Sequence, residues 1–146
     1  MIGNSDPGSK FTSSQIREAA RIGEQFTKLY YESMDKKRSV MGKLYKDEDS
    51  VLSWNGYGTK GSEAIVKYIS ELPSCDHELK SMDIQLLPDE AAPNQIAYLI
   101  STAGTVRYKN MKKTAFNQNF IISAEGTKWK IISDVFRLQE TPTNMT

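Results

Sequence analysis

The feature that most constrains this chain is a change of period at Pro73. Before it, apolar residues recur at helical spacing; after it, they alternate. Ile16, Ala19, Gly23, Phe26 and Tyr30 fall three or four apart, and Thr12 with Gln15 carries the capping-box pattern ahead of them. A helix is therefore expected from about Thr12 to Met34. Asp35 then reads as the cap of a second, shorter helix carrying Val40, Met41, Leu44 and Tyr45. Residues 51–54 and 57–59 flank Asn55-Gly56, the dipeptide that suits the positive φ angles of a type I′ hairpin turn. Gly61-Ser62 opens a third helix with Ile65, Tyr68, Ile69 and Leu72 on its inner side, and Pro73 closes it. Strands are expected at 78–87, 95–108 (broken or bent at Gly104), 114–124 and 127–138, with 73–77 and 88–94 as loops. Helices early and long strands late predict an α+β fold in the order α-α-β-β-α-β-β-β-β, with three helices and an antiparallel sheet that rests one face on them.

A chain of 146 residues fits one domain, here expected over 12–139 with polar tails at 1–11 and 140–146. Lys and Arg number 19 against 18 Asp and Glu, so net charge calls for neither nucleic acid nor an acidic membrane. No stretch approaches the roughly 20 apolar residues of a membrane span, and the first residues lack the charged and apolar regions of a signal peptide. The one cysteine, Cys75, excludes an internal disulfide and fits a reducing compartment. His77 lies two residues away on the expected loop, a spacing that does not by itself make a catalytic dyad. One His and one Cys do not supply the usual zinc ligand set, so no metal or other cofactor is expected.

The late strands carry the functional signal, because both of their faces hold apolar residues. In the last strand Ile132, Asp134, Phe136 and Leu138 alternate with Ile131, Ser133, Val135 and Arg137. In the one before, Phe116, Gln118, Phe120 and Ile122 alternate with Asn117, Asn119, Ile121 and Ser123. In 95–108, Leu99, Ser101 and Ala103 oppose Tyr98, Ile100 and Thr102. A solvated face would be more cleanly polar. The second face mixes small, polar and aliphatic residues with one Arg, the composition of a protein interface. An ordinary sheet surface with a few apolar residues is the plainer alternative.

Trp54-Asn55-Gly56, then Gly61 opening a helix that ends at Leu72-Pro73, resembles the nuclear transport factor 2 superfamily. Leu29-Tyr30-Tyr31 ahead of Met34-Asp35 adds to the resemblance, as do Phe116-Asn117-Gln118-Asn119-Phe120 and Ser133-Asp134-Val135-Phe136-Arg137. Met34-Asp35-Lys36-Lys37-Arg38 before Leu44-Tyr45 favours the export-related branch of that superfamily. The resemblance implies a cone-shaped fold, with the three helices packed on a strongly bent antiparallel sheet, and a heterodimer with the related domain of a large nuclear RNA export factor, made through the exposed sheet face. It implies RNA and nucleoporin contacts mainly through that partner, and shuttling between nucleus and cytoplasm. On that analogy the partner-binding residues are Ser101, Asn117, Asn119, Ile121, Ser133, Val135 and Arg137. A guanidinium inside an interface is costly unless paired, so Arg137 calls for a carboxylate on the partner. A symmetric homodimer would bring no such acid from these positions.

The chain departs from nuclear transport factor 2 itself at the positions that, in that protein, import the GTPase Ran in its GDP form. Asn55 stands where an acidic residue follows the hairpin tryptophan, and the turn Lys109-Asn110-Met111-Lys112-Lys113 is basic where that protein has an acidic pair. Ala19 stands about where it places a tryptophan that holds phenylalanine-glycine repeats. The first two differences argue against Ran-GDP binding, and the third against direct nucleoporin binding by this chain alone. Two other readings compete. An isomerase- or dehydratase-like enzyme of the same cone would use Asp134, with Tyr30, Tyr31 or Tyr98 as donors, in a pocket that shifts its pKa. Direct RNA contact would use Lys36-Lys37-Arg38 and the candidate RNA-proximal residues Lys109, Lys112 and Lys113 beside Tyr108.

Overall fold

A computed structural model describes residues 11–88, 90, 91 and 95–139. Residues 1–10 of the expected tail at 1–11, all of the expected tail at 140–146, and residues 89 and 92–94 of the expected loop lie outside the described residues. Helix α1 spans Ser13–Lys36, and its capping box is made: the Thr12 hydroxyl accepts from Gln15 N–H, and the Gln15 side chain accepts from Thr12 N–H. The helix runs two residues past the expected Met34. Asp35 caps nothing; the next element is a 3-10 helix, Arg38–Lys43, with no side-chain cap. Both carboxylate oxygens of Asp35 are turned to His77 instead.

Strands β1 (Val51–Trp54) and β2 (Tyr57–Lys60) form the expected hairpin, with φ of 50° at Asn55 and 94° at Gly56. Helix α2 spans Ser62–Ser70 and buries Ile65 and Ile69. Strands β3 (Cys75–Leu86), β4 (Ala97–Tyr108), β5 (Thr114–Glu125) and β6 (Lys128–Gln139) follow. The sheet has six strands in the order β2-β1-β6-β5-β4-β3. The expectation of an antiparallel sheet needs one correction: β1 runs parallel to β6, with Ser53 opposite Val135 and Trp54 opposite Phe136. The helices cover one face of this mostly antiparallel sheet, so the architecture is the α+β cone expected.

Segment 73–77 is also not wholly a loop, since β3 begins at Cys75 opposite Tyr108. Its alternation is hidden in the sequence because the register shifts between Leu79 and Ser81. Gly104, on β4, faces that irregularity. A Cβ there would sit 2.1 Å from the Glu78 carbonyl oxygen, so only glycine permits the approach of the two backbones. A second shift, between Ile121 and Ile122 of β5, leaves Ile132 of β6 without an opposite residue. That changes the parity of β6: Ile131 is fully buried on the helix side, not on the face with Ser133 and Val135.

The interior is aromatic. Phe116 stacks on Phe136 at 5.4 Å, Trp54 on Phe136 at 4.0 Å, and Tyr30 meets Phe120 edge-on at 4.6 Å. Gly104→Ala should destabilise the protein by about 2–3 kcal/mol in urea unfolding, because a backbone oxygen has to move to admit the methyl. A change within about 0.5 kcal/mol would show that the bulge does not need glycine.

Candidate functional site

The outer sheet face, turned away from the helices, is assembled by the register. One row runs Val51, Ser133, Ile121, Leu99, Gln85; the next runs Ser53, Val135, Asn119, Ser101, Asp83. A third holds Arg137, Asn117, Ala103 and Ser81. All seven residues singled out on the resemblance, Ser101, Asn117, Asn119, Ile121, Ser133, Val135 and Arg137, therefore share one surface. Their inner neighbours Gln118, Phe120, Asp134 and Phe136 have no exposed area, whereas Val135 is 37% and Val51 41% exposed. Ser101 donates to Asn119 Oδ1 at 2.7 Å across the β4–β5 pair. Arg137 is exposed, and its guanidinium has no ion pair or hydrogen bond among the described residues.

Two contributions were not read from the sequence. Val51 and Ser53 join the face only because β1 pairs with β6, a contact between distant segments that no local pattern announces. Asp83 places a carboxylate on the same face, three strands from Arg137. An acid is thus available to a second copy, and Arg137 alone does not argue against self-pairing.

The other side of the last strand is closed. Asp134 is fully buried, and none of the four principal cavities reaches it. The Tyr30 and Tyr45 hydroxyls donate to Oδ2 at 3.0 and 2.7 Å, and Gln118 Nε2 donates to Oδ1 at 2.7 Å. Of the donors expected for an enzyme, only Tyr30 touches Asp134. Tyr31 donates to Gln118 Oε1 at 2.6 Å, and Tyr98 stacks on Trp129 at the rim. Tyr45 and Gln118 were missed. Gln118 left a signal, as a polar residue between Phe116 and Phe120 on the inner face. Burial, with the nearby Asp134 charge, raises the Tyr30 and Tyr45 hydroxyls well above the usual phenol range, so they remain donors.

Cys75, His77 and Asp35 meet although they are distant or looped in the sequence. Their ligand atoms lie within 4.8 Å of one another. The chemistry does not suit a cation. His77 N–H and Nδ1 contact Asp35 at 2.9 and 2.7 Å, and Arg38 donates to Cys75 Sγ at 3.2 Å. Burial raises the Cys75 thiol to about 11, so it is protonated and not an activated nucleophile at neutral pH. Arg38 belongs to this join rather than to a basic RNA patch. Its guanidinium donates to the Ile69, Leu72 and Pro73 carbonyls at the end of α2, where a cation is favoured. Lys109, Lys112 and Lys113 are exposed on the β4–β5 turn, with Lys113 Nζ 3.8 Å from Glu78.

Burial raises Asp134 to about 6 from the ordinary 3.8, opposed by its hydrogen bonds from Tyr45, Gln118 and Tyr30. Between those values the folded protein holds a proton that the unfolded chain has released. The associated stability is whole below about pH 4 and is lost as pH rises through about 6. The loss is about 3 kcal/mol, from two pKa units at 1.36 kcal/mol each. Urea unfolding across this range should show it in the wild type and not in Asp134→Asn. Parallel profiles for the two proteins would contradict the assignment.

The nuclear transport factor 2 (NTF2) domain family matches residues 22–138. NTF2-related export protein 1 of Bos taurus is 38% identical over 129 residues, which are 86% of this chain and 91% of that protein. The nuclear transport factor 2 structure from Cryptosporidium parvum superposes with a TM-score of 0.74 at 26% identity, covering 84% of this chain and 95% of that one. The Candida albicans Mtr2–Mex67 M domain complex gives 0.68 at 15% identity, over 86% and 99%. A protein from Novosphingobium aromaticivorans described as a scytalone dehydratase gives 0.68 at 16%, over 90% and 91%. Those last two likenesses speak for the fold alone. With the family match spanning most of the sheet and both helices, and export proteins among its relatives, the chain belongs to the NTF2 domain family.

Proposed function

We propose that this chain is the small, non-catalytic subunit of a nuclear RNA export receptor. It pairs through its outer sheet face with the related domain of a large nuclear RNA export factor, stabilises that domain and supports mRNA export through nuclear pores. The observation that carries the reading is the outer face itself: aliphatic and amide side chains in register across five strands, with Arg137 unpaired at its edge. The names of its relatives support the same reading. NTF2-related export proteins align over most of the chain, and Mtr2 of the same fold is solved in complex with the Mex67 M domain. Ser101, Asn117, Asn119, Ile121, Ser133 and Val135 supply the contact around Arg137, and a partner carboxylate supplies its counter-ion.

Catalysis finds no support at Asp134. A general acid or base has to reach its substrate, and this carboxyl is sealed and bonded to three donors of the chain itself. RNA and nucleoporins reach the complex mainly through the large subunit, which places the receptor at the pore and shuttles it between nucleus and cytoplasm. Lys109 and Lys112, with Lys113 partly neutralised by Glu78, extend an RNA platform by phosphate contacts.

The test is co-expression with the NTF2-like domain of a large nuclear RNA export factor. The wild type should co-purify one to one. Arg137→Glu should weaken assembly by about 30-fold or more, the equivalent of the roughly 2 kcal/mol or more lost when one partner of a buried charge pair is removed. Unimpaired assembly of the variant removes Arg137 from the interface. In the intact complex, Lys112→Glu with Lys113→Glu should lower RNA affinity and flatten its salt dependence while leaving assembly unchanged. Equal RNA binding would exclude the turn from the platform.

A further inference from the structure

We infer that a lysine-rimmed apolar cavity, separate from both the sealed interior and the outer sheet face, binds a small amphipathic carboxylate of the fatty-acid class. The cavity has a volume of about 650 Å³ and lies between α1, the 3-10 helix and the β5–β6 hairpin. Phe26 and Leu44, both buried, form its floor, and Ile22, Leu29, Val40 and Trp129 form its walls. This size is that of a small-molecule site. Leu29 is 48% exposed, so the cavity leaves apolar surface open to water that an acyl chain would cover.

Charge chooses the head group. Lys43, Lys128 and Lys130 line the cavity, and no carboxylate does. None of the three lysines has an ion pair among the described residues. Lys130 Nζ donates to the Lys43 carbonyl, which ties the hairpin to the 3-10 helix beside the cavity. The other polar lining groups, Gln25 and Ser33, are neutral. An apolar chain with one anionic end meets both halves of this surface, whereas a neutral chain leaves the rim unanswered. Trp129 stacks on Tyr98 at 4.6 Å, so its indole is held in the wall and reports on occupancy.

The probes are dodecanoate, below its micelle concentration, and dodecanol, added to the full chain. Occupancy is read from the Trp129 indole N–H resonance, assigned with Trp129→Phe. Dodecanoate should shift it saturably with a Kd on the order of 10–100 µM, and dodecanol should bind about tenfold or more weakly. Lys43→Glu with Lys128→Glu should remove that preference while leaving dodecanol binding and thermal stability unchanged. These two lysines are exposed on the rim, so the fold does not depend on them. Leu29→Asp should weaken both probes. No saturable shift, or equal affinity for the two probes in the wild type, would overturn the inference. So would binding of an acidic, apolar-sided peptide to this cavity without binding of dodecanoate, which would make it a protein-docking groove.

Discussion

The fold depends on a buried carboxyl group with three donors. Asp134 draws Tyr30 from α1, Tyr45 from the segment after the 3-10 helix, and Gln118 from β5 to one point on β6. An unsatisfied buried carboxylate would cost several kcal/mol, so these partners are required wherever that residue is enclosed. Once they are in place, the helices are fixed to one side of the sheet, and the space that could hold a substrate is filled with hydroxyl, amide and aromatic groups. The same geometry that closes the inner side leaves the outer side as the broad surface on which another polypeptide can be bound.

Much of this was legible because it is local. The Thr12 and Gln15 cap and the Asn55-Gly56 turn each depend on a few adjacent residues and are where the sequence pattern places them, while α2 stops at Ser70, two residues short of the expected Leu72. The alternation in β4, β5 and the far half of β6 assigned the seven outer-face residues to one surface. What failed was whatever depended on strand pairing. The bulge that leaves Ile132 unpaired turns Ile131 inward, and the shift after Leu79 hides the first third of β3. A period-two pattern has no means of announcing an extra residue, since one insertion exchanges every face beyond it. The parallel β1–β6 contact is likewise a matter of topology.

Charged residues were the least legible part. Lys36-Lys37-Arg38 reads as a basic patch, yet Arg38 is spent on the carbonyls that end α2 and on Cys75. Asp35 reads as a helix cap and instead holds His77 at the start of β3. Each choice is made by a partner more than 30 residues away, and a charge takes whichever desolvated partner the fold offers. Arg137 on the sheet and Lys43 and Lys128 on the cavity rim are among the charged side chains without an ion pair among the described residues.

The most direct measurement is solvent paramagnetic relaxation at side-chain methyl groups, with and without the NTF2-like domain of a large nuclear RNA export factor. The account predicts that Val135 and Ile121 lose their solvent-induced relaxation when the complex forms, while Leu29 on the opposite side keeps it. A complex in which Val135 and Ile121 remain as accessible as in the free chain would contradict it.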